Sequence, residues 1–146
     1  MANLTIATGL KEYSLTDENG NVKVTLYFNP TDPVFIEGLY NAFSTLDKKD
    51  EEYRERVQKE TDGAVLFDLA RTMDAEMRNL IDTALGTEVC QPLFGNINVY
   101  ARADGLPLWA NLLLAIIEEM DDAFAKEKKA EDPRIKKYTS KFKKAG

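Results

Sequence analysis

The sequence predicts an α+β, mainly α fold: an N-terminal β-hairpin packed on a bundle of about three to four helices, plus a short C-terminal helix. Three observations carry this. Apolar residues alternate at Val22, Val24, Leu26 and Phe28 behind the turn Asp17-Glu18-Asn19-Gly20-Asn21. The apolar period then switches from 2 to 3.6 at Asn29–Pro33 and stays helical over most of the remaining chain. The chain has 146 residues, 44% of them apolar, which is the size of one domain whose core buries about 70% of the unfolded surface. We expect a single globular domain over 1–132 and a basic helix or tail over 133–146.

The β part comes first. Leu4, Ile6, Tyr13 and Leu15 lead into the turn, whose Asn-Gly pair tolerates positive φ. The turn also has oxygen side chains at Asp17, Asn19 and Asn21, as a calcium loop does. That reading fails, because its sixth position would need Gly and is Val22, and its twelfth would need Glu and is Phe28.

Four helical stretches come next. Asp32 is an N-cap with Pro33 in the first helical position, and Phe35, Ile36, Leu39, Tyr40, Phe43 and Leu46 mark one face, giving a helix near 33–46. Residues 47–60 are nearly all charged apart from Tyr53 and Val57, and read as an exposed helix or helical arm. Thr61 or Asp62 caps the next helix, near 62–85. Its stripe runs Val65, Leu66, Leu69, Met73, Met77, Leu80, Ala84, and Gly86 sits in the stop position. Ile97, Val99 and Ala101 alternate with polar residues, so this segment is a short strand or a packed loop. Asp104-Gly105-Leu106-Pro107 is read as the opening of the main core helix, near 107–130. Its apolar face is Leu108, Trp109, Leu112, Leu113, Ile116, Ile117, Met120 and Phe124. Asp132-Pro133 breaks it. Ile135, Tyr138 and Phe142 then line one face of a short basic amphipathic helix.

Composition excludes several chemistries. There is no histidine and only one cysteine, so neither an internal disulfide nor a Cys/His zinc cluster can form. The commonest general base is also missing. Cys90 lies among apolar neighbours and reads as a structural thiol. Glu118, Glu119, Asp121 and Asp122 form an acidic cluster, but no second ligand element accompanies it, so no metal site is assigned. No phosphate-binding glycine loop, Gly-x-Ser-x-Gly motif or repeat is present. We therefore expect no catalytic, cofactor or metal residues and no enzyme activity.

Charge is unevenly placed. From Lys126 onward nine Lys/Arg face three acids (Glu127, Glu131, Asp132), a net +6. The chain totals −6, so residues 1–125 carry −12. The basic end suits either a solvated helix, docking on the acidic body of another subunit, or phosphate contacts with Tyr138 and Phe142 stacking. The −12 body opposes a close approach to nucleic acid. The N-terminus shows no basic leader with an apolar run. The longest apolar stretch, Leu108–Ile117, is interrupted by Asn111 and falls short of the ~20 residues a bilayer span takes. A cytoplasmic protein with no membrane contact is the expectation.

A short N-terminal β element precedes an acidic helical middle with Leu80-Ile81-Asp82-Thr83-Ala84-Leu85-Gly86. Leu93-Phe94-Gly95 comes next, then the apolar helix from Gly105-Leu106-Pro107-Leu108, then the basic Lys136-Lys137-Tyr138-Thr139-Ser140-Lys141-Phe142 end. This whole-chain order of parts resembles the small tail assembly chaperones of long-tailed phages and prophages. The resemblance covers roughly residues 80–142 and implies a non-enzymatic, helical, self-associating protein of the bacterial host cytoplasm. Its implied partners are further copies of itself, the tape-measure protein it coats, and the tail-tube subunits that later replace it. The family supplies no functional residues by motif. The residues assigned here to partner binding, Ile135, Lys136, Lys137, Tyr138, Lys141 and Phe142, come from the amphipathic pattern alone. A nucleic-acid accessory protein and a small carboxylate-based enzyme are the alternative readings. Salt-sensitive DNA or RNA binding would mark the first, and a stoichiometric metal the second.

Overall fold

The computed structural model describes residues 1–129, 133–135 and 137. It is mainly helical, with an N-terminal two-stranded antiparallel hairpin followed by helices, an α+β fold as expected.

Strands β1 (Lys11–Thr16) and β2 (Val22–Phe28) pair in the register Lys11↔Phe28 through Leu15↔Val24, and Lys23 is extruded as a bulge where Thr16 meets Val22. The Asp17 carboxylate closes the turn. It accepts the backbone N–H groups of Asn19 (2.9 Å) and Asn21 (3.0 Å), while Gly20 takes φ 81°. The Asn21 amide, helped by Lys23, holds that carboxyl below its usual range. The inward face of the hairpin is joined to the helices by an aromatic stack. Tyr13 lies 4.4 Å from Phe28, and Phe28 lies 4.5 Å from Phe35. Leu4 and Ile6 do not join the hairpin: residues 1–10 have no regular structure and both side chains are exposed.

Helix α1 (Pro33–Lys59) is a single rod of about 40 Å at 1.5 Å per residue. The expected separation of 33–46 from a charged arm is therefore corrected. Asp32 caps it through the Val34 N–H (3.0 Å), and nothing in residues 47–59 breaks a helix. Its charged half is mostly exposed, yet Asp50 is 5% exposed. Glu60 ends α1 and Asp62 caps α2 (Gly63–Leu85) through Ala64 N–H (2.9 Å), so the two helices form a tight hairpin. The buried α2 stripe is Leu69, Met73, Met77 and Ile81; Val65, expected on it, is exposed, and Ile81, not expected on it, is fully buried. Gly86 stops the helix at φ 73°.

A short α3 (Cys90–Phe94) and an irregular segment lead to two small strands, β3 (Arg102–Ala103) and β4 (Leu106–Pro107). Residues 97–101 contain no strand, with a turn at Val99–Tyr100, so the loop alternative holds. The reading of Asp104-Gly105 as a helix opening is corrected. Asp104 (φ 54°) and Gly105 (φ 81°) both sit at positive φ between paired strands, the two-residue hairpin geometry that Asp-Gly favours. Helix α4 (Leu108–Lys129) starts immediately after β4. Its first N–H groups are satisfied by the loop it leaves: Leu108 N donates to Ala101 O (2.8 Å) and Trp109 N to Val99 O (3.2 Å).

The core joins all of these. Leu26 and Phe28 of the hairpin, Leu39 and Leu46 of α1, the α2 stripe, and Trp109, Leu112, Leu113, Ile116 and Met120 of α4 form one buried cluster. Phe124, expected on the core face, is 47% exposed, and Ala123 is buried in its stead. No helix among the described residues is long and apolar enough to cross a membrane. The expected break at Asp132-Pro133 lies partly outside the described residues; Pro133, Arg134, Ile135 and Lys137 are helical.

Candidate functional site

The six residues assigned to partner binding are described only in part. Lys136, Tyr138, Lys141 and Phe142 lie outside the described residues. Ile135 is helical and 66% exposed, so the first apolar position of the expected stripe is not buried on the chain's own body. Lys137 is helical and exposed.

Two side-chain constellations stand out that periodicity did not reveal. The first is a polar stripe on α2, Asp74-Arg78-Asp82 at i, i+4, i+8, on the side of the helix facing the loop. Asp74 receives the Arg78 guanidinium on both oxygens (3.2 and 3.0 Å) and also accepts Val99 N–H (2.8 Å). Arg78 reaches on to Ile97 O (2.6 Å) and Gln91 Oε1 (3.4 Å). Asp82 accepts both Val89 N–H and Cys90 N–H at 3.0 Å, standing in as the cap of α3. Asn98 adds a bond from its amide to Ala70 O (3.0 Å). Together these groups clasp residues 89–99 to α2 and satisfy backbone that has little secondary structure of its own.

The second constellation lies under that loop. Trp109 Nε1–H donates to the buried Asp50 carboxylate (3.0 Å), whose other oxygen pairs with Arg54 (2.9 Å). Tyr100 covers the site, its ring 4.2 Å from Tyr53. Burial, then the Asp50 charge, raise the Tyr100 hydroxyl well above its usual range. The buried Asp50 carboxylate joins the middle of α1 to the start of α4. A carboxylate held between an indole N–H and a guanidinium has each oxygen engaged once, which fits a structural role.

The sequence-level candidates for chemistry resolve similarly. Cys90 is buried, and burial followed by the nearby Asp82 charge pushes its thiol up to about 12. It is therefore protonated and shielded at neutral pH. We expect the native protein to be inert to a thiol-specific disulfide reagent at pH 8 and to react once denaturant is added; rapid native reaction would contradict the burial. The folded thiol keeps its proton above the unfolded value of 9.0. Its stability contribution is therefore complete below about pH 9 and is lost as pH climbs through the folded value. In the acidic cluster of α4, Glu119 accepts the Tyr13 hydroxyl (3.1 Å), tying the helix to β1, while Glu118, Asp121 and Asp122 are exposed surface groups. Among the described residues no group of three or more His, Cys, Asp or Glu is placed to hold a metal ion.

An open cleft of about 680 Å³ lies beside the base of the hairpin, walled by Leu10, Tyr27, Phe28, Pro33 and Phe35. Gly9 at φ 73° lets the chain pass close to Asn29, whose amide donates to Thr8 O (2.9 Å) and fixes one wall. A second, smaller depression shares Thr8, Asn29 and Thr31 with it and extends to Ala123 and Glu127 near the end of α4.

The chain matches no known family model, no curated protein and no solved structure.

Proposed function

We propose that this chain is a non-enzymatic tail assembly chaperone of a long-tailed phage or prophage, which self-associates and coats the tape-measure protein until tail-tube subunits take its place. The observation that carries the reading is the segregation of charge together with exposed apolar surface. A −12 body is joined to a +6 end, and Ile135 at the start of that end is exposed. Such a chain is suited to docking one copy's end on another copy's body. Contacts between exposed charges contribute only about 0–1 kcal/mol each, so the apolar face must supply the rest. Burying each of Ile135, Tyr138 and Phe142 is worth about 1.5–3 kcal/mol before ordering costs. An end that reaches one neighbour while its body receives another makes a head-to-tail contact, which builds rings or open spirals. That is the shape a sleeve around an extended helical protein requires. The order of parts from Leu80 to Phe142 is the second support.

The test starts from the neighbouring reading frames. A very long helical tape-measure gene is expected downstream, with a frameshift-prone run near the 3′ end of this gene. Co-expressed with that tape-measure protein, the chain should keep it soluble and co-purify in many copies per tape measure. Absence of such a gene, or a tape measure that stays insoluble beside the folded chain, would overturn the proposal.

A further inference from the structure

We infer that residues 3–8 of one copy add as a third strand to the outer edge of β1 in a second copy, and that two copies exchange their N-terminal arms in this way. The joint is independent of the basic end and goes beyond the function proposed above.

The arm has the chemistry of a strand without being in one. Leu4, Ile6, Thr8 and Leu10 fall on one face of an extended chain, and Asn3, Thr5, Ala7 and Gly9 on the other. Residues 1–10 hold no charged side chain and no proline, in a chain that is 30% charged. Such a window pairs readily with an open sheet edge. Residues 1–7 make no hydrogen bond among the described residues, and Leu4 is 88% and Ile6 74% exposed.

The hairpin supplies the matching edge. Each strand of a two-stranded sheet turns alternate N–H and C=O groups outward, and no described residue outside β2 bonds to the backbone of β1. The inner face of the sheet is closed at β2, where Leu26 and Phe28 are buried. It is half-open at β1, where Tyr13 and Leu15 are only partly buried. Placing Thr5 opposite Ser14 sets Leu4 and Ile6 beside Tyr13 and Leu15 in either strand direction, and leaves Thr5 on the solvent face with the exposed Ser14. Residues 3–8 match β1 in length, 6 residues or about 20 Å.

The chain's own arm is the competing occupant, by folding back at Gly9-Leu10. The structure leads it the other way. Asn29, just past the end of β2, donates its amide to Thr8 O (2.9 Å), and Ala7 and Thr8 border the depression shared with Pro30, Ala123 and Glu127. The arm thus leaves on the β2 side, away from the outer edge of its own β1. A second copy completes the joint, because every copy carries both an arm and an edge, and an exchange between two closes with two-fold symmetry. Area favours the same occupant. Leu4 and Ile6 each offer on the order of 100 Å² of apolar surface. A reciprocal exchange doubles these side chains, the surface they cover and the paired backbone, and so approaches the roughly 1,200–2,000 Å² of a stable interface. One arm on an unrelated protein reaches about half of that.

The full chain is tested by light scattering in about 1 M salt, where a Debye length of about 3 Å screens contacts of the basic end. A two-copy species is expected. A chain carrying Leu4→Lys and Ile6→Lys should fall to half that mass with unchanged circular dichroism, since both side chains are exposed in the single chain. Cysteine trapping places the joint, because the native Cys90 is buried and does not compete. A Thr5→Cys chain mixed with a Ser14→Cys chain under mild oxidation should give a disulfide-linked pair. That pair should be several-fold more abundant than with Thr72→Cys, an exposed site on α2. A single-copy mass for the unmodified chain in high salt, or a two-copy mass that survives the lysine changes, would overturn the inference. So would a chain carrying both cysteines that closes internally while the mixed chains do not link, which would give the edge to the chain's own arm. Growth of the unmodified chain at low salt reports on the basic end separately, so either joint can fail without the other.

Discussion

Trp109→Ala is expected to lower the unfolding free energy by about 3–5 kcal/mol, the range for truncating a large buried aromatic. Three separate losses add up at this position. The indole is 2% exposed, so its removal opens a cavity where α4 meets α1. Its ring packs edge-on to Phe43 at 5.6 Å. Its N–H is a partner of buried Asp50, and a buried carboxylate that loses a partner is destabilising in its own right. Trp109→Phe isolates the last of these by keeping most of the volume, and should cost about 1–3 kcal/mol. Combined with Asp50→Asn, the two changes should couple rather than add, since they remove one shared interaction. Leu113→Ala, in the same core, is expected to cost about 2–5 kcal/mol. Lys48→Ala and Lys59→Ala, on the solvent side of α1, should stay within about 0.5 kcal/mol. Denaturant midpoints ranking the lysine changes above Trp109→Ala would show that the core is elsewhere.

The second large effect is expected at Asp82. Its carboxylate accepts two backbone N–H groups, from Val89 and Cys90, whose side chains are buried. Asp82→Ala leaves both donors without that acceptor, at about 1–3 kcal/mol for each buried group left unsatisfied. We expect a total loss on the order of 2–6 kcal/mol, with a local signature as well. Amide exchange at residues 89–90 should accelerate, and Cys90 should become reactive to a thiol reagent in the folded protein. Asp82→Asn, which keeps one acceptor oxygen, should recover part of the loss. Unchanged exchange rates at Val89 and Cys90 in the alanine variant would contradict the clasp.

These two positions show what a one-dimensional reading reaches. The hairpin, the cap at Asp32, the cap of α2 to within the pair Thr61 or Asp62, and the Gly86 stop are legible, because each rests on residues within a few positions of one another. So is most of the core, since a 3.6-residue period reports which side of a helix is dry. Phe124 misleads, because its neighbour Ala123 faces the core and the stripe drifts near the end of α4. Asp104-Gly105 reads as a helix opening although Asp-Gly is strong hairpin chemistry; two-residue strands are too short to show alternation. The buried Asp50 and the Asp74-Arg78-Asp82 stripe are invisible for a different reason. Their partners lie 59 residues away at Trp109 and 7–25 residues away at Val89, Cys90 and Val99, and polar spacing on a helix does not reveal whether it faces water or a loop. The cleft is also hidden, being assembled from the arm, the hairpin and α1.

The proposed joining of copies of this chain through the basic end has a direct physical consequence for its mass in solution. The most direct measurement is light scattering of the intact chain and of a chain ending at Asp132, each at low and high salt. Among the described residues the buried core is complete by Ala123, so the shortened chain retains the hairpin and α1 to α4, and its circular dichroism should stay helical. The intact chain should form larger species that shrink as salt screens the charge contacts over the ~10 Å Debye length at 0.1 M. The shortened chain should run as one smaller species at every salt concentration. If both chains show the same mass throughout, the end is a solvated helix and copies of this protein are not joined through it.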